Sequence, residues 1–145
     1  MKISTKGRYG LRTLMDIALH QHNGPVPLND IAERQGISAK YLWQVMNPLR
    51  TAGVVNVVRG AHGGYSLAKP PEQVTLLDLV EVLEGPVSIV DCVQVPENCE
   101  RTLICASRTI WDEINSSLIA ALRGITLAEV IERQRGVTEA GEYVI

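Results

Sequence analysis

The 145-residue chain contains no phenylalanine and only six other aromatic residues, two Trp and four Tyr. Leu, Ile and Val must therefore fill any core, and apolar residues, at 46% of the chain, suffice for one. No apolar run approaches the roughly 18 residues that a membrane span needs, so no membrane partner is expected. The N-terminal MKISTKGRYG has basic residues but no apolar stretch behind them, unlike a secretory signal. The expected compartment is the cytosol. Cysteine is scarce too, with three residues, and in that compartment thiols or metal ligands are expected rather than a disulfide framework. The chain also lacks a nucleophile–base set, a phosphate loop and paired acids in one element, so it does not read as an enzyme. Repeats and low-complexity tracts are absent, and 21% charged residues is an ordinary share, so nothing suggests a disordered protein.

What is present is an uneven distribution of charge. Residues 1–70 carry nine Lys/Arg against three acids, a net of +6, while residues 71–145 carry five against thirteen, a net of −8. The two halves sum to the overall −2. A basic half joined to an acidic half points to a polyanionic partner for the first half only.

Hydrophobic spacing and turn residues divide the chain further. Ser4 and Thr5 are candidate caps for a helix to about His22, with Leu11, Leu14, Ile17 and Ala18 at helical spacing. HNGPVP (22–27) is a turn by composition. LNDIAERQGI (28–37) comes next, stopped by Gly36 in the manner of a left-handed C-terminal residue. Ser38 caps a helix to Gly53 with Leu42, Val45, Met46 and Leu49 inward, and Pro48 predicts a bend or break near the Gln44 carbonyl. VVNVVRG and GGYSLAKP flank RGAHGG (59–64) as a hairpin, and KPPEQV (69–74) is a linker. TLLDLVEVLEG (75–85) opens on a capping box, Thr75 with Asp78, and stripes Leu76, Leu79, Val80 and Leu83. A long helix is expected from about Thr102 to Arg123, with Leu103, Ala106, Ile110, Ile114, Leu118, Ala121, Leu122 and Ile125 in register. Thr126 and Glu129 open a last helix, TLAEVIERQRG, and the tail VTEAGEYVI is weakly patterned.

The expected fold is mainly α with a small β-hairpin. Residues 1–70 form a winged helix-turn-helix, 71–101 a connecting helix and cysteine loop, and 102–145 a dimerisation helix and C-terminal helix. An apolar stripe this long on so small a chain favours pairing with its copy in a homodimer.

In a winged helix-turn-helix the second helix enters the major groove of double-stranded DNA, where Lys reaches guanine acceptors and Gln pairs with adenine. Lys40, Tyr41, Trp43, Gln44 and Asn47 are expected to project outward from it. Arg59 and His62 sit at the wing tip, and an Arg on a slim wing can enter a narrow minor groove. Lys2, Lys6, Arg8 and Arg50 are available for phosphates. The charge confined to this half weighs against a winged domain used for protein contacts alone.

All three cysteines, Cys92, Cys99 and Cys105, fall within CVQVPENCERTLIC (92–105). Thiolates are soft ligands suited to iron–sulfur clusters, zinc or copper(I). The segment has no close Cys-x-x-Cys pair of the kind a structural zinc knuckle uses. Residue chemistry alone leaves a metal site, core cysteines and a thiol switch all open.

MKISTKGRYGLRTLMDIALH, IAERQGIS, YL-x-Q, LR-x-AG-V and VRG-xx-GGY-x-L, together with VLEGP (82–86), the cysteine cluster and TLAEV (126–130), resemble the Rrf-two family of bacterial transcription regulators. The resemblance spans nearly the whole chain. It implies a homodimer with cross-paired long helices, two winged domains on a palindromic operator, and a repressor as the usual role. It also implies iron–sulfur ligation by Cys92, Cys99 and Cys105, as a two-iron two-sulfur or four-iron four-sulfur cluster, with redox or nitric oxide sensing. The branch concerned with cysteine metabolism lacks the cluster cysteines, which keeps a cofactor-free regulator, acting through thiol oxidation or a partner protein, as the alternative. The family's base-contacting positions fall at Lys40, Trp43 and Gln44, and its minor-groove arginine at Arg59. The iron–sulfur assembly regulator has Ser and Glu where this chain has Lys40 and Trp43, so its operator sequence does not carry over. Its fourth ligand, a His three residues after the last cysteine, is Arg108 here, and the Asp used by the nitric-oxide-sensing branch is Arg8. Asp91, Glu97, Glu100, a group from the partner chain or a small exogenous molecule remain as fourth-ligand candidates.

Overall fold

A computed structural model describes residues 1–142. The last three residues of the weakly patterned tail and of the expected C-terminal segment lie outside the described residues.

The first helix, α1, runs from Thr5 to His20, with Ser4 as its cap accepting the Lys6 N–H. It stops two residues before the expected end. The His20 ring N–H turns back onto the Asp16 carbonyl at 2.8 Å, and a 3-10 turn (Gln21–Asn23) closes the corner. Helix α2 (Leu28–Gln35) ends on Gly36, whose φ of +63° is the left-handed conformation expected of it. Ser38 then caps α3 (Ala39–Thr51), its hydroxyl accepting the Tyr41 N–H. Of the bend or break expected at Pro48, the break does not occur, and α3 continues through it. Pro48 lies in its last turn, and the turn survives because the Ala52 N–H bonds the Pro48 carbonyl while Met46 and Leu49 are fully buried. The hairpin pairs β1 (Val55–Val58) with β2 (Gly64–Leu67), from Val55↔Leu67 to Val58↔Gly64. A bridge between Val26 and Tyr65 fixes it to the rest. A Cβ at Gly64, where φ is +157°, would lie 2.3 Å from the Val26 carbonyl oxygen, so only glycine fits that crossing.

Helix α4 (Leu76–Glu84) begins with the expected capping box, complete in both directions. It buries two faces rather than one stripe. Leu79 and Leu83 enter the main core with Leu14, Ile17, Leu42 and Val45, whereas Leu77, Val80 and Val87 meet Leu118, Ile119 and Leu122. Leu77 therefore takes a buried place that the spacing assigned to half-buried Leu76. Each fully buried Leu contributes about 1.5–3 kcal/mol.

Two further helices carry the second half, after a short α5 (Asp91–Gln94) in the cysteine segment. The long helix, α6, spans Ala106–Gly124 and starts four residues later than expected. Residues 99–104 form turns instead, because the Thr102 hydroxyl bonds the Pro96 and Cys99 carbonyls at 2.6 and 2.8 Å. Leu103, read as part of the helical stripe, is 96% exposed in that turn. Helix α7 (Leu127–Glu142) runs past Gly136 into the tail, with Glu129–Arg133 and Glu132–Arg135 pairs along its surface. The starts of α4 and α7 are tied together: Leu76 N–H bonds the Ile125 carbonyl and Leu127 N–H the Val74 carbonyl, both at 2.8 Å. No helix among the described residues is long and apolar enough to cross a membrane.

Candidate DNA-reading face and cysteine segment

Helices α1 and α2 are held together by one buried carboxylate. Asp16, 2% exposed, accepts from Arg34 through both Nε and Nη2, the closest at 2.7 Å, and from Gln35 Nε2 at 2.8 Å. This pairing holds the Arg34 guanidinium even more firmly protonated than usual. Arg12 donates to the Gln35 side chain and carbonyl at the end of α2 and lies over the Tyr9 ring. These contacts set the turn from which α3 departs.

On α3, Lys40, Trp43, Gln44 and Arg50 are exposed. Trp43, at 55%, is far from the inward packing that a Trp ordinarily seeks. Tyr41 does not project as expected. It is half-buried, with its ring edge-on to Tyr9 at 5.8 Å between centroids, because the side opposite the groove needs an apolar contact with α1. Asn47 is half-buried and accepts from Arg50 Nη2 at 3.1 Å. A groove of about 610 Å³ runs beside α3, lined by Lys6, Trp43, Gln44, Asn47 and Val82 among others. Arg59 and His62 are exposed at the wing tip.

The cysteine segment is built from short pieces. Cys92 lies in α5, Cys99 sits just after a 3-10 turn (Pro96–Asn98), and Cys105 caps the start of α6. All three are free and half-buried. By type they suit a soft metal, yet among the described residues no three Cys, His, Asp or Glu converge on one point as a metal site. Neither Asp91, Glu97 nor Glu100 is drawn into such a set. The Ser107 hydroxyl, 3.1 Å from Sγ, and the Arg108 N–H lower the Cys105 thiol pKa below its ordinary value.

Two residues hold this segment to α6: Arg108, considered in the sequence only as the place of a missing ligand, and Asn115, which sequence reading passed over. Arg108 Nε donates to the Cys92 carbonyl at 3.1 Å, joining α5 to α6 from the position where a fourth ligand was sought. Asn115, 5% exposed, accepts the Ile89 N–H at 3.0 Å and donates to the Val87 carbonyl at 3.3 Å. An Asn three, four and seven residues from Leu118, Ile119 and Leu122 was the available signal. The N-terminal half of α6 carries exposed apolar residues, Ile110, Trp111 and Ile114 at 55, 42 and 47%, that have no partner within the described chain.

Comparison with known proteins gives a consistent result. A family model described as Rrf2, iron-dependent transcriptional regulator, matches residues 3–133. The protein Rrf2 of Nitratidesulfovibrio vulgaris is 43% identical over 131 residues, 90% of this chain and 87% of that one. Among solved structures, CymR, the global cysteine regulator of B. subtilis, superposes with a TM-score of 0.78 at 40% identity, covering 92% of this chain and 98% of the other. IscR of T. potens superposes with a TM-score of 0.73 at 38% identity, covering 92% and 88%.

Proposed function

The chain belongs to the Rrf2 family of transcriptional regulators, and on that premise we propose that it is a homodimeric repressor whose operator binding answers to the cysteine segment. The observation that carries this reading is the exposed Lys40–Trp43–Gln44 face of α3, set in the basic half of the chain and backed by a helix that also packs on α6. Lys40 and Gln44 are the groups to read base edges, Trp43 offers an apolar contact to a thymine methyl, and Arg50 serves phosphate. Arg59, with His62 beside it, reaches the minor groove from the wing. The exposed Ile110–Trp111–Ile114 face supports pairing of α6 with its copy, and a two-fold dimer asks for a palindromic operator.

Cys92, Cys99 and Cys105 are the residues that would hold an iron–sulfur cluster, by donor type and by their confinement to one segment. Such a cluster supplies ligation that a redox or nitric oxide signal undoes. Arg108 holds α5 against the start of α6, and Asn115 holds residues 87–89 on the same helix, so a rearrangement of the cysteine loop reaches α4 through this framework. Purification without oxygen, with iron and sulfide counts, an absorption spectrum and operator binding before and after cluster loss, tests the reading. A colourless protein whose DNA binding is unchanged by anaerobic reconstitution would refute the cluster. A cofactor-free regulator is favoured by one observation, the failure of the three thiols to converge. For that reading, Cys→Ala variants lose an oxidant response while iron content is nil throughout.

A further inference from the structure

We propose that Glu84 is a positioning residue for DNA binding: from the end of α4 it holds the first turn of α1 so that Lys6 faces the groove beside the recognition helix. The inference rests on the DNA-binding reading above. One carboxylate oxygen of Glu84 accepts from the Ser4 N–H at 2.9 Å, the Ser4 hydroxyl at 2.5 Å and the Gly7 N–H at 3.1 Å. The two N–H groups are donors that a helix start leaves without intrahelical partners, and a negative charge there is favoured by the helix dipole. The fit has been made at the backbone. A Cβ on Gly7 would lie 2.5 Å from that oxygen, so the position admits glycine and the carboxylate together.

Charge makes the arrangement informative. Glu84 sits beside the most basic stretch of the chain, Lys2, Lys6 and Arg8, yet it forms no ion pair among the described residues. Its partners are backbone and hydroxyl donors, so the lysine beside it remains free. Lys6 lines the groove with Trp43, Gln44 and Asn47 of α3 and with Val82, two residues before Glu84. The same α4 places Leu83 where Gly10 of α1 lacks a side chain, 2.2 Å from a built Cβ that would also meet Val45 of α3 at 3.6 Å. Glu84 and Leu83 thus seat α4 on two glycines of α1. The polar contact orients the first turn and the apolar one sets the distance to the recognition helix.

The two possible roles of an acid near a DNA face predict opposite signs. If Glu84 only adds negative charge, removing it strengthens DNA binding. If it positions Lys6, removing it weakens binding and costs a phosphate contact. The test is fluorescence anisotropy on a mixed-sequence duplex a few helical turns long, titrated over a range of salt. Lys6→Ala should lower the slope of log affinity against log salt by about two for the homodimer, the release accompanying one phosphate contact per subunit. Glu84→Ala should lower it equally with Lys6 intact, weaken binding several-fold, and add nothing in combination with Lys6→Ala. Glu84→Gln, which keeps the acceptor oxygen, should restore most of the slope. Should circular dichroism show that Glu84→Ala is unfolded, Ser4→Ala removes the hydroxyl donor from the other side and should give a smaller loss of slope. A Glu84→Ala or Ser4→Ala chain that folds and binds the duplex as tightly as wild type, or more tightly, overturns this inference alone. A wild-type chain with no salt-dependent affinity for the duplex overturns the DNA-binding reading, and this inference with it.

Discussion

Replacing Asn115 with Ala should cost more than any surface change in α6, and the magnitude can be worked from its two hydrogen bonds. The side chain is 5% exposed, and it satisfies the Ile89 N–H and the Val87 carbonyl, 26 and 28 residues away along the chain. Each bond contributes about 0.5–1.5 kcal/mol net, and a donor or acceptor left buried without a partner costs about 1–3 kcal/mol. Partial entry of water into the vacated space offsets some of this, so a loss of about 2–4 kcal/mol is expected. Denaturant unfolding at fixed protein concentration measures it, since a dimer's apparent stability depends on concentration. Hydrogen exchange of the Ile89 amide localises it: protection there should fall before that of α1 does. A loss below about 0.5 kcal/mol with Ile89 still protected would refute the reasoning, because it would mean that residues 87–89 are held by something else. Asn115→Asp sharpens the test through pH. An ionised Asp can accept from Ile89 but cannot donate to Val87, and its burial raises the folded pKa above the unfolded one. The variant's stability should therefore be greatest below the unfolded carboxyl range and fall as pH rises through the folded pKa.

Gly10→Ala should destabilise the fold by about 1–3 kcal/mol in a thermal or denaturant melt, since the new methyl would lie 2.2 Å from Leu83 Cδ1 and the buried Leu83 side chain must repack to admit it. Arg59→Ala should weaken operator binding by about 1–3 kcal/mol in a gel-shift or anisotropy titration, and unchanged affinity would mean that the wing does not insert. In the reduced, metal-free chain, Ser107→Ala should move the alkylation profile of Cys105 to higher pH, because the Ser107 hydroxyl is the largest cause of its lowered pKa. Mass spectrometry after brief iodoacetamide treatment at stepped pH reads that shift, and an unmoved profile would remove Ser107 from the account.

Much of the reading head was legible because local chemistry decides it. Gly36 must take a left-handed turn, Ser38 must cap the recognition helix, and four apolar residues at helical spacing leave α3 only one inward face. The hairpin was legible from glycines at its turn and β-branched residues beside it. The long helix was legible as a helix but not as a surface, because it carries apolar side chains on two faces. Spacing joined Ile110 and Ile114, which are exposed, in one stripe with Leu118 and Leu122, which pack inward, and missed Ile119 and Asn115 beside them. Its start was misplaced because Leu103 falls in register with the apolar stripe, whereas the neighbouring Thr102 hydroxyl closes the cysteine loop onto the Pro96 carbonyl six residues back. Gly7 and Gly10 gave no sign of their role. A glycine that admits a neighbour looks the same in sequence as one that merely weakens a helix, and only the position of Glu84 and Leu83 tells them apart.

The pairing of the α4 and α7 starts has a consequence for how such a chain can change over time. Residues 76–125 begin and end at one point, pinned there by the Leu76–Ile125 and Leu127–Val74 hydrogen bonds, with α4 on the core and the cysteine segment farther out. Topologically they form a detour with a closed neck. The turn at its far end, where Leu103 and Ile104 are 96 and 78% exposed, belongs to neither of the elements that form the neck. Cysteines can be gained, lost or respaced there, and the loop lengthened or cut, without replacing any residue that builds the reading head. The same architecture can thus be refitted with a different chemical input by altering about a dozen residues, without re-solving how to hold a helix against DNA.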